Sequence, residues 1–80
     1  MKLWILEPTE AGRKRYWTPW YDKCFAMVVR AETESDAREL AALDAQDEGG
    51  PVWRDPDSST CVPLTDAGEP GVIMQDVHHA

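Results

Sequence analysis

Cysteine and histidine are scarce in this sequence. The 80 residues include two cysteines, Cys24 and Cys61, and two histidines, His78 and His79. Secreted scaffolds of this length usually carry about four to eight cysteines, so we expect both thiols to be reduced in the cytosol. A disulfide is the alternative if two strands bring the thiols together. Because neither histidine lies in the interior of the chain, a cysteine or serine nucleophile lacks its usual general base. The sequence therefore predicts that the protein is not an enzyme.

Long hydrophobic runs and cofactor motifs are also missing. No apolar run approaches the ~18 residues of a membrane span, and the chain reaches Glu7 and Pro8 before the core of a signal peptide could form. There is no glycine-rich phosphate loop, no C-x-x-C pair and no zinc-ligand spacing. We therefore expect a cytoplasmic protein with no membrane segment and no cofactor.

One acidic segment begins like a calcium loop. Residues 55–59 read Asp-Pro-Asp-Ser-Ser, but the sixth and twelfth positions of such a loop would be Thr60 and Asp66 in place of glycine and glutamate. Turn formation explains the segment without an ion. Asp44, Asp47 and Glu48 could hold a divalent cation weakly, yet no feature selects one, so no metal site is predicted.

Charge is abundant and unevenly distributed. The chain has 15 acidic and 8 basic residues, a net charge of -7, 42% hydrophobic residues and four tryptophans. This composition suits one modest core, and we expect residues 1–80 to form a single domain. Residues 1–30 carry a net charge of +3, whereas residues 31–80 carry -10. Such an asymmetry indicates a charged partner or self-pairing rather than a particular fold.

The pattern of apolar runs and turn formers predicts an α+β fold. Strands are expected at residues 1–7, 24–29, 52–53, 60–62 and 72–77, and a helix from Thr33 to the glycines and proline at 49–51. Residues 8–19 are expected to form a long loop or a wide hairpin connection. The near-continuous apolar run at 24–29 is typical of a central strand. The predicted fold is one helix packed on a small, mostly antiparallel β-sheet, in the order β-β-α-β-β-β.

The predicted helix has a clear start and a less certain end. Thr33 is a suitable N-cap, and Glu34 and Arg38 have the i,i+4 spacing of a helical ion pair. Small and aliphatic residues form its expected buried side: Ala37, Leu40, Ala41 and Leu43, of which the first three cover Phe25, Met27, Val28 and Val29. Asp44 falls within the same arc. Either the regular helix ends near Leu43, or Asp44 is partly buried and paired.

Basic and aromatic residues lie side by side in segment 12–21. Arg13, Lys14 and Arg15 precede Trp17 and Trp20. Such a pattern can bind single-stranded nucleic acid, but the net negative charge of the chain disfavours a polyanion. The other interpretations are that the aromatic residues anchor a loop on the core, or that the segment contacts a protein, since Trp, Tyr and Arg are enriched in interface hot spots. A protein contact is favoured over direct nucleic-acid binding.

Acidic residues dominate the predicted helix and the turn after it. Glu32, Asp36, Glu39 and Asp47 lie near one helical flank, with Asp44 close by. Acids three or four residues apart on a helix repeat every ~5 Å, a spacing comparable with that of phosphates along DNA. This surface is either an ordinary solvated helix face or a mimic of nucleic acid that binds a basic groove.

Three stretches of the chain carry a resemblance to known proteins: residues 28–42 (VVRAETESDARELAA), 52–56 (VWRDP) and 60–64 (TCVPL). In general sequence character and in the order of their segments, they resemble small acidic proteins encoded by phages and prophages. Some of those proteins are anti-CRISPR inhibitors of type I surveillance complexes. The resemblance does not include a family-defining motif, so no catalytic or binding residue is assigned from it. It implies an inhibitor in the host cell that competes with DNA at a basic groove.

These observations predict a non-enzymatic phage inhibitor that binds a host CRISPR effector and blocks its DNA binding. The expected partner-binding residues are Glu32, Asp36, Glu39, Asp44 and Asp47, together with Arg13, Arg15, Trp17 and Trp20. The basic and aromatic residues would anchor the complex or mediate a homodimer. The alternative is a structural or accessory phage domain that acts through self-association.

Overall fold

Three strands and three helices form the part of the chain that the structure, a computed structural model, describes: residues 1–16 and 22–75. Their order is β1 (Lys2–Pro8), α1 (Glu10–Tyr16), β2 (Met27–Ala31), α2 (Glu34–Leu43), α3 (Gly50–Arg54) and β3 (Ser59–Pro63). The strands form one antiparallel sheet with the order β2-β1-β3. The α+β class and the antiparallel sheet are therefore confirmed. Among these residues, no helix has the length and apolar character needed to cross a membrane.

β1 occupies the centre of the sheet because its apolar residues suit burial on both faces. Trp4 and Leu6 belong to the core beneath the helices, while Ile5 is out of phase with them and lies on the opposite face. On that face Ile5 pairs with Val28 of β2 and Val62 of β3. β1 is thus the buried strand, and β2 and β3 are edges.

The core lies between the sheet and the helices α2 and α3. Its buried members are Trp4, Leu6, Ala31, Ala37, Ala41, Ala42, Val52, Trp53 and Cys61. The three alanines of α2 let its backbone approach the sheet closely. The largest fully buried side chain is Trp53, whose ring supplies much of the apolar area that a core of this size needs.

α2 begins as the sequence predicts. Thr33 is the N-cap, and its Oγ1 accepts a hydrogen bond of 3.1 Å from the Asp36 backbone N–H. The helix ends at Leu43, with Asp44 as an exposed C-cap. The first of the two alternatives for Asp44 is therefore correct, and the glycines at 49–50 do not end this helix.

Residues 8–19 were predicted to form a long loop or a wide hairpin connection. They do lie in the connection between the antiparallel strands β1 and β2, but their described part forms the helix α1 and not a loop. Thr9 caps this helix, because its Oγ1 accepts a hydrogen bond from Gly12 N and its carbonyl accepts one of 2.9 Å from Arg13 N. Pro8 and Gly12 therefore do not prevent a helix from forming here. Gly12 is buried against the Ser58 carbonyl oxygen, in a gap that admits no Cβ.

α3 replaces the strand predicted at residues 52–53. Gly49 has a φ of 86°, a value that favours glycine, and Pro51 sits in the first turn, where its missing N–H costs nothing. Asp55 N donates to Pro51 O and closes the turn. Val52 and Trp53 are buried, but they reach the core from a helix and not from the predicted strand.

β2 begins at Met27 rather than at residue 24, and it is an edge strand rather than the central one. Before it, Cys24 N donates to Glu48 Oε1 at 2.9 Å and Cys24 Sγ donates to the Ala26 carbonyl. These bonds hold residues 24–26 outside the sheet. Phe25, Met27 and Val29 do pack against the core.

The expected cover of β2 by the helix is only partly correct. Ala37 and Ala41 are buried, whereas Leu40, Val28 and Leu43 are 48%, 50% and 73% exposed. Leu40 and Val28 are therefore not core residues. The predicted final strand is also not observed over residues 72–75, which are exposed, while residues 76–77 lie outside the described chain.

Candidate partner-binding surface

The exposed surface of α2 carries acidic side chains and no exposed base. Asp36 lies in the first turn, where the helix dipole favours a carboxylate, and Glu39 lies one turn later. Glu32 comes just before the cap, and its carboxylate is 4.0 Å from the amino terminus of Met1. All three side chains are exposed, as the sequence predicts for one helical flank.

The single base of α2, Arg38, is buried rather than exposed. Its Nε donates to Glu34 Oε2 at 2.9 Å, which confirms the predicted i,i+4 pair. Its Nη1 donates to the Trp53 carbonyl and to Ser59 Oγ, and its Nη2 donates to the Ser59 carbonyl. Arg38 therefore ties α2 to α3 and β3 and contributes little positive charge to the surface.

Arg54, the other base between residues 31 and 75, forms an ion pair with Glu39. Its Nη2 and Nε donate to the two carboxylate oxygens of Glu39 at 2.8 and 3.0 Å. The hydrogen bonds from Arg54 lower the pKa of Glu39, and those to Glu39 raise the pKa of Arg54. Arg54 thus partly offsets the negative charge of the Glu39 carboxylate, and the sequence does not reveal this pair.

Asp44 and Asp47 extend the acidic surface beyond the end of α2. Both are exposed, and neither forms an ion pair with a described residue. Asp47 N donates to the Asp22 carbonyl at 2.8 Å, which fixes the backbone of this turn. With Asp36, they are the predicted acids whose charge no described base offsets. We name Asp36, Asp44 and Asp47 the acidic surface.

The basic residues of segment 12–21 lie on α1, a different element from the acidic surface. Arg13, Lys14 and Arg15 are exposed. Lys14 lies 3.4 Å from Glu10, and the Arg15 guanidinium lies 6.0 Å from the centroid of the Tyr16 ring. The described chain therefore does not bring Arg13 and Arg15 into the acidic surface. Trp17 and Trp20 lie outside the described residues.

The segment 55–59 is a turn held by its own side chains. Asp55 Oδ1 accepts from Asp57 N and Asp55 Oδ2 accepts from Ser58 Oγ, both at 2.9 Å. The Asp57 amide, followed by the Ser58 hydroxyl, lowers the pKa of Asp55. This confirms the turn prediction. Within residues 1–16 and 22–75, no group of three or more His, Cys, Asp or Glu side chains is arranged to hold a metal ion.

Cys24 and Cys61 are not joined by a disulfide in this structure. Cys61 is buried on β3, and this burial raises its pKa, so its thiol is a poor nucleophile at neutral pH. Cys24 is half-buried and its Sγ donates to the Ala26 carbonyl. His78 and His79 lie outside the described residues.

Sequence reasoning missed two buried charged residues. One is Arg38 and the other is Glu48. Glu48 Oε2 accepts a hydrogen bond from the Trp53 indole N–H at 2.8 Å, and Glu48 Oε1 accepts one from Cys24 N. Nothing in the sequence marks Glu48 as buried, because it sits among the acids of a polar turn. Arg38 had one signal, namely its position next to Ala37 on the apolar side of α2.

An open groove of about 700 Å³ runs beside β2. One wall is formed by residues 27–30 of β2 and the preceding Cys24 and Ala26, and the other by Leu40, Ala41, Leu43 and Asp44 of α2 and its C-cap. The groove is therefore bounded by a strand edge and by the aliphatic flank of the helix, with part of the acidic surface at one end.

The chain was also compared with known proteins. No family model matches it, and neither the curated proteins nor the solved structures yield a match.

Proposed function

We propose that the protein is a non-enzymatic inhibitor, encoded by a phage, that acts in the host cytoplasm. It binds a nucleic-acid-handling complex, most concretely a type I CRISPR surveillance complex, and blocks DNA binding by presenting carboxylates where that complex expects phosphates. The observation that supports this proposal most directly is the acidic surface, in which Asp36, Asp44 and Asp47 are exposed and unopposed by any described base.

The arrangement of the two nearby bases strengthens this argument. Residues 31–80 carry only Arg38 and Arg54 as bases. Arg38 is buried in hydrogen bonds to carbonyl groups, and Arg54 is paired with Glu39. Neither of these two bases is therefore free to pair with the carboxylates of the acidic surface. Complementary charge of this kind raises association rates and excludes wrong partners.

Rigidity also favours mimicry by this surface. Asp36 stands on the first turn of a helix whose N-cap bond is formed, and Arg38 fastens that helix to α3 and β3. Carboxylates on a fixed element lose little conformational freedom when they bind. Glu39 contributes less negative charge to this surface than the sequence suggests, because Arg54 is paired with its carboxylate.

Direct binding to the purified effector, with the acidic surface reversed, tests this proposal. We expect the triple variant Asp36→Lys, Asp44→Lys and Asp47→Lys to bind the complex at least about tenfold more weakly than the wild type, which corresponds to about 1.4 kcal/mol. All three residues are exposed, so the variant should unfold at nearly the wild-type temperature.

The matched control is a second triple variant with the same change in net charge. Asp57, Asp66 and Glu69 are exposed acids outside α2 and the turn that follows it. Their reversal to Lys should leave binding close to that of the wild type apart from a general effect of net charge. Equal losses in the two triple variants would mean that only net charge matters and would refute a specific surface.

The alternative function is a structural or accessory phage protein that acts through self-association. The open groove beside β2 favours this alternative, because it places exposed aliphatic side chains next to a strand edge that no other described strand pairs with. Reversal of the acidic surface would then leave assembly largely intact, and no effector complex would be bound.

A further inference from the structure

The face of the sheet opposite the helices carries aliphatic side chains at its centre. We call it the outer face, and its strand residues are Leu3, Ile5, Glu7, Val28, Arg30, Thr60 and Val62. Leu3, Val28 and Val62 are 38%, 50% and 49% exposed, and Ile5 lies between the two valines. The residues of α2 and α3 in the core all pack on the other face. The outer face therefore has an aliphatic centre that no described helix covers.

Of the strand residues on the outer face, two are charged, and they lie at opposite ends of it. Arg30 is paired with Leu3 in the row at one end, and Glu7 is paired with Thr60 in the row at the other. Neither charged side chain forms an ion pair with a described residue. Their charges cancel, so the strand residues of this face are neutral although the chain carries a net charge of -7. Two copies of the chain meet here without local repulsion.

The acidic surface lies on the other side of the sheet. Asp36 stands on α2 and Asp44 is its C-cap, and α2 packs on the face that holds the core. Two copies that meet through their outer faces therefore keep both sheets between their α2 helices. Contact through α2 itself would instead bring the two acidic surfaces together. For a chain this acidic, the outer face is the side through which self-association meets less repulsion.

We propose that the occupant of the outer face is a second copy of the chain. The two outer faces stack about a two-fold axis that runs across the strands above Ile5, which gives the layer order helix, sheet, sheet, helix. Sheets stack about 10 Å apart, and the side chains of Leu3, Val28 and Val62 fill the space between them. A two-fold, self-complementary interface is the commonest form of homodimer. This inference does not depend on the inhibitory function, and it leaves both acidic surfaces exposed.

The same axis pairs the charges of the outer face. It exchanges the two ends of the face, so the row that holds Arg30 in one copy lies over the row that holds Glu7 in the other. The two residues are then offset sideways by one strand spacing of ~4.8 Å, which an arginine side chain spans, and the pair forms twice. An axis along β1 would instead set Glu7 of one copy against Glu7 of the other. Charge therefore selects the axis across the strands.

Sedimentation of the purified protein between about 10 and 500 µM tests the dimer without any effector. We expect the wild type to dimerise in this range and Val62→Lys to be a monomer, because the ammonium group would lie in the apolar centre of the interface. Leu43→Lys is the matched control, since it makes the same change at an exposed aliphatic residue of α2, and it should remain a dimer. Thermal unfolding establishes that each variant is folded.

Exchange of the two charges tests the two-fold axis itself. Arg30→Glu and Glu7→Arg should each weaken the dimer at least about tenfold, because each places like charges together twice. The double variant should recover the dissociation constant of the wild type, and failure to recover it would refute the axis. Glu7→Arg alone makes each copy less acidic. A stronger dimer for this variant would show that net charge governs association and would also refute the proposed pair.

Three further outcomes would overturn the proposal. A wild-type monomer throughout the concentration range excludes the dimer. Dissociation by Leu43→Lys but not by Val62→Lys would place the contact on the side of α2. A chain that ends at residue 70 lacks the exposed apolar residues Val72, Ile73 and Met74. The proposal predicts that this shortened chain still dimerises, whereas a monomer would show that those three residues are the contact instead.

Discussion

Arg38 is buried although its side chain ends in a charged guanidinium group. Its guanidinium donates to two buried carbonyl oxygens, a serine hydroxyl and the Glu34 carboxylate. Because these acceptors belong to Glu34, Trp53 and Ser59, one side chain links three elements. Burial of a charge is tolerated only when it is paired and hydrogen-bonded in this way. At the scale of single residues, Arg38 thus explains both the packing of α3 and the missing positive charge on α2.

Replacement of Arg38 by Ala is expected to destabilise the fold strongly. The substitution removes the guanidinium hydrogen bonds to the Trp53 carbonyl, the Ser59 carbonyl and the Ser59 hydroxyl, and the free energy of unfolding should fall by about 2–5 kcal/mol. Urea unfolding measures this loss. Arg54→Ala is the control, since its pair with Glu39 is exposed, and it should leave the midpoint nearly unchanged. Similar midpoints for the two variants would contradict the assigned role of Arg38.

Asp55 links the stability of the turn to pH. Hydrogen bonds from Asp57 N and Ser58 Oγ lower its pKa in the folded state. The resulting stabilisation is present above the ordinary carboxyl pKa of about 3.9 and is lost as the pH falls through the lower folded value. Melting temperatures between about pH 6 and pH 2 should converge for the wild type and Asp55→Asn as the pH falls. A difference between them that is independent of pH would exclude this origin.

The elements show where sequence patterns are sufficient and where they are not. The N-cap of α2 was predictable, because Thr33 acts through a bond within one turn of the chain. α3 was not, because an apolar pair such as Val52 and Trp53 fits a short strand as well as a helix. The indole of Trp53 is held by Glu48 and its carbonyl by Arg38. Contacts between distant residues decide that element.

α1 gives a second example, and it concerns Gly12. Glycine in a short segment after Pro8 favours a loop on local grounds, yet Gly12 lies inside a helix against the Ser58 backbone. Thr9 adds a bond of 2.7 Å from its Oγ1 to the Asp57 carbonyl, so the turn at 56–58 and α1 support each other. This tertiary contact outweighs the low helix propensity of glycine.

Gly12→Ala is therefore expected to destabilise the protein even though alanine favours helices. The added Cβ would overlap the Ser58 carbonyl oxygen, and overpacking of this kind costs about 1–3 kcal/mol. Gly71→Ala is the matched control, because no atom lies within 4 Å of the Cβ it would add. Calorimetry of both variants gives the comparison. Stabilisation by Gly12→Ala would mean that α1 does not pack on the turn as described.

At the scale of the whole molecule, charge and apolar surface lie in different places. The bases of the N-terminal part include Arg13, Lys14 and Arg15 on α1, while the acidic surface lies on α2 and the turn after it. The asymmetry of charge was evident from the sequence. The groove beside β2 was not, because residues 24–29 favoured a central strand and only the pairing order makes β2 an edge.

The most direct test of the proposed function is competition with DNA for the purified type I surveillance complex. The account predicts that the wild-type protein displaces DNA, and that displacement weakens as salt rises because it depends on charge. The folded variant with Asp36, Asp44 and Asp47 reversed to Lys should lose this competition, whereas the variant with Asp57, Asp66 and Glu69 reversed should retain it. Undiminished competition by the first variant, or no competition by the wild type, would contradict the account.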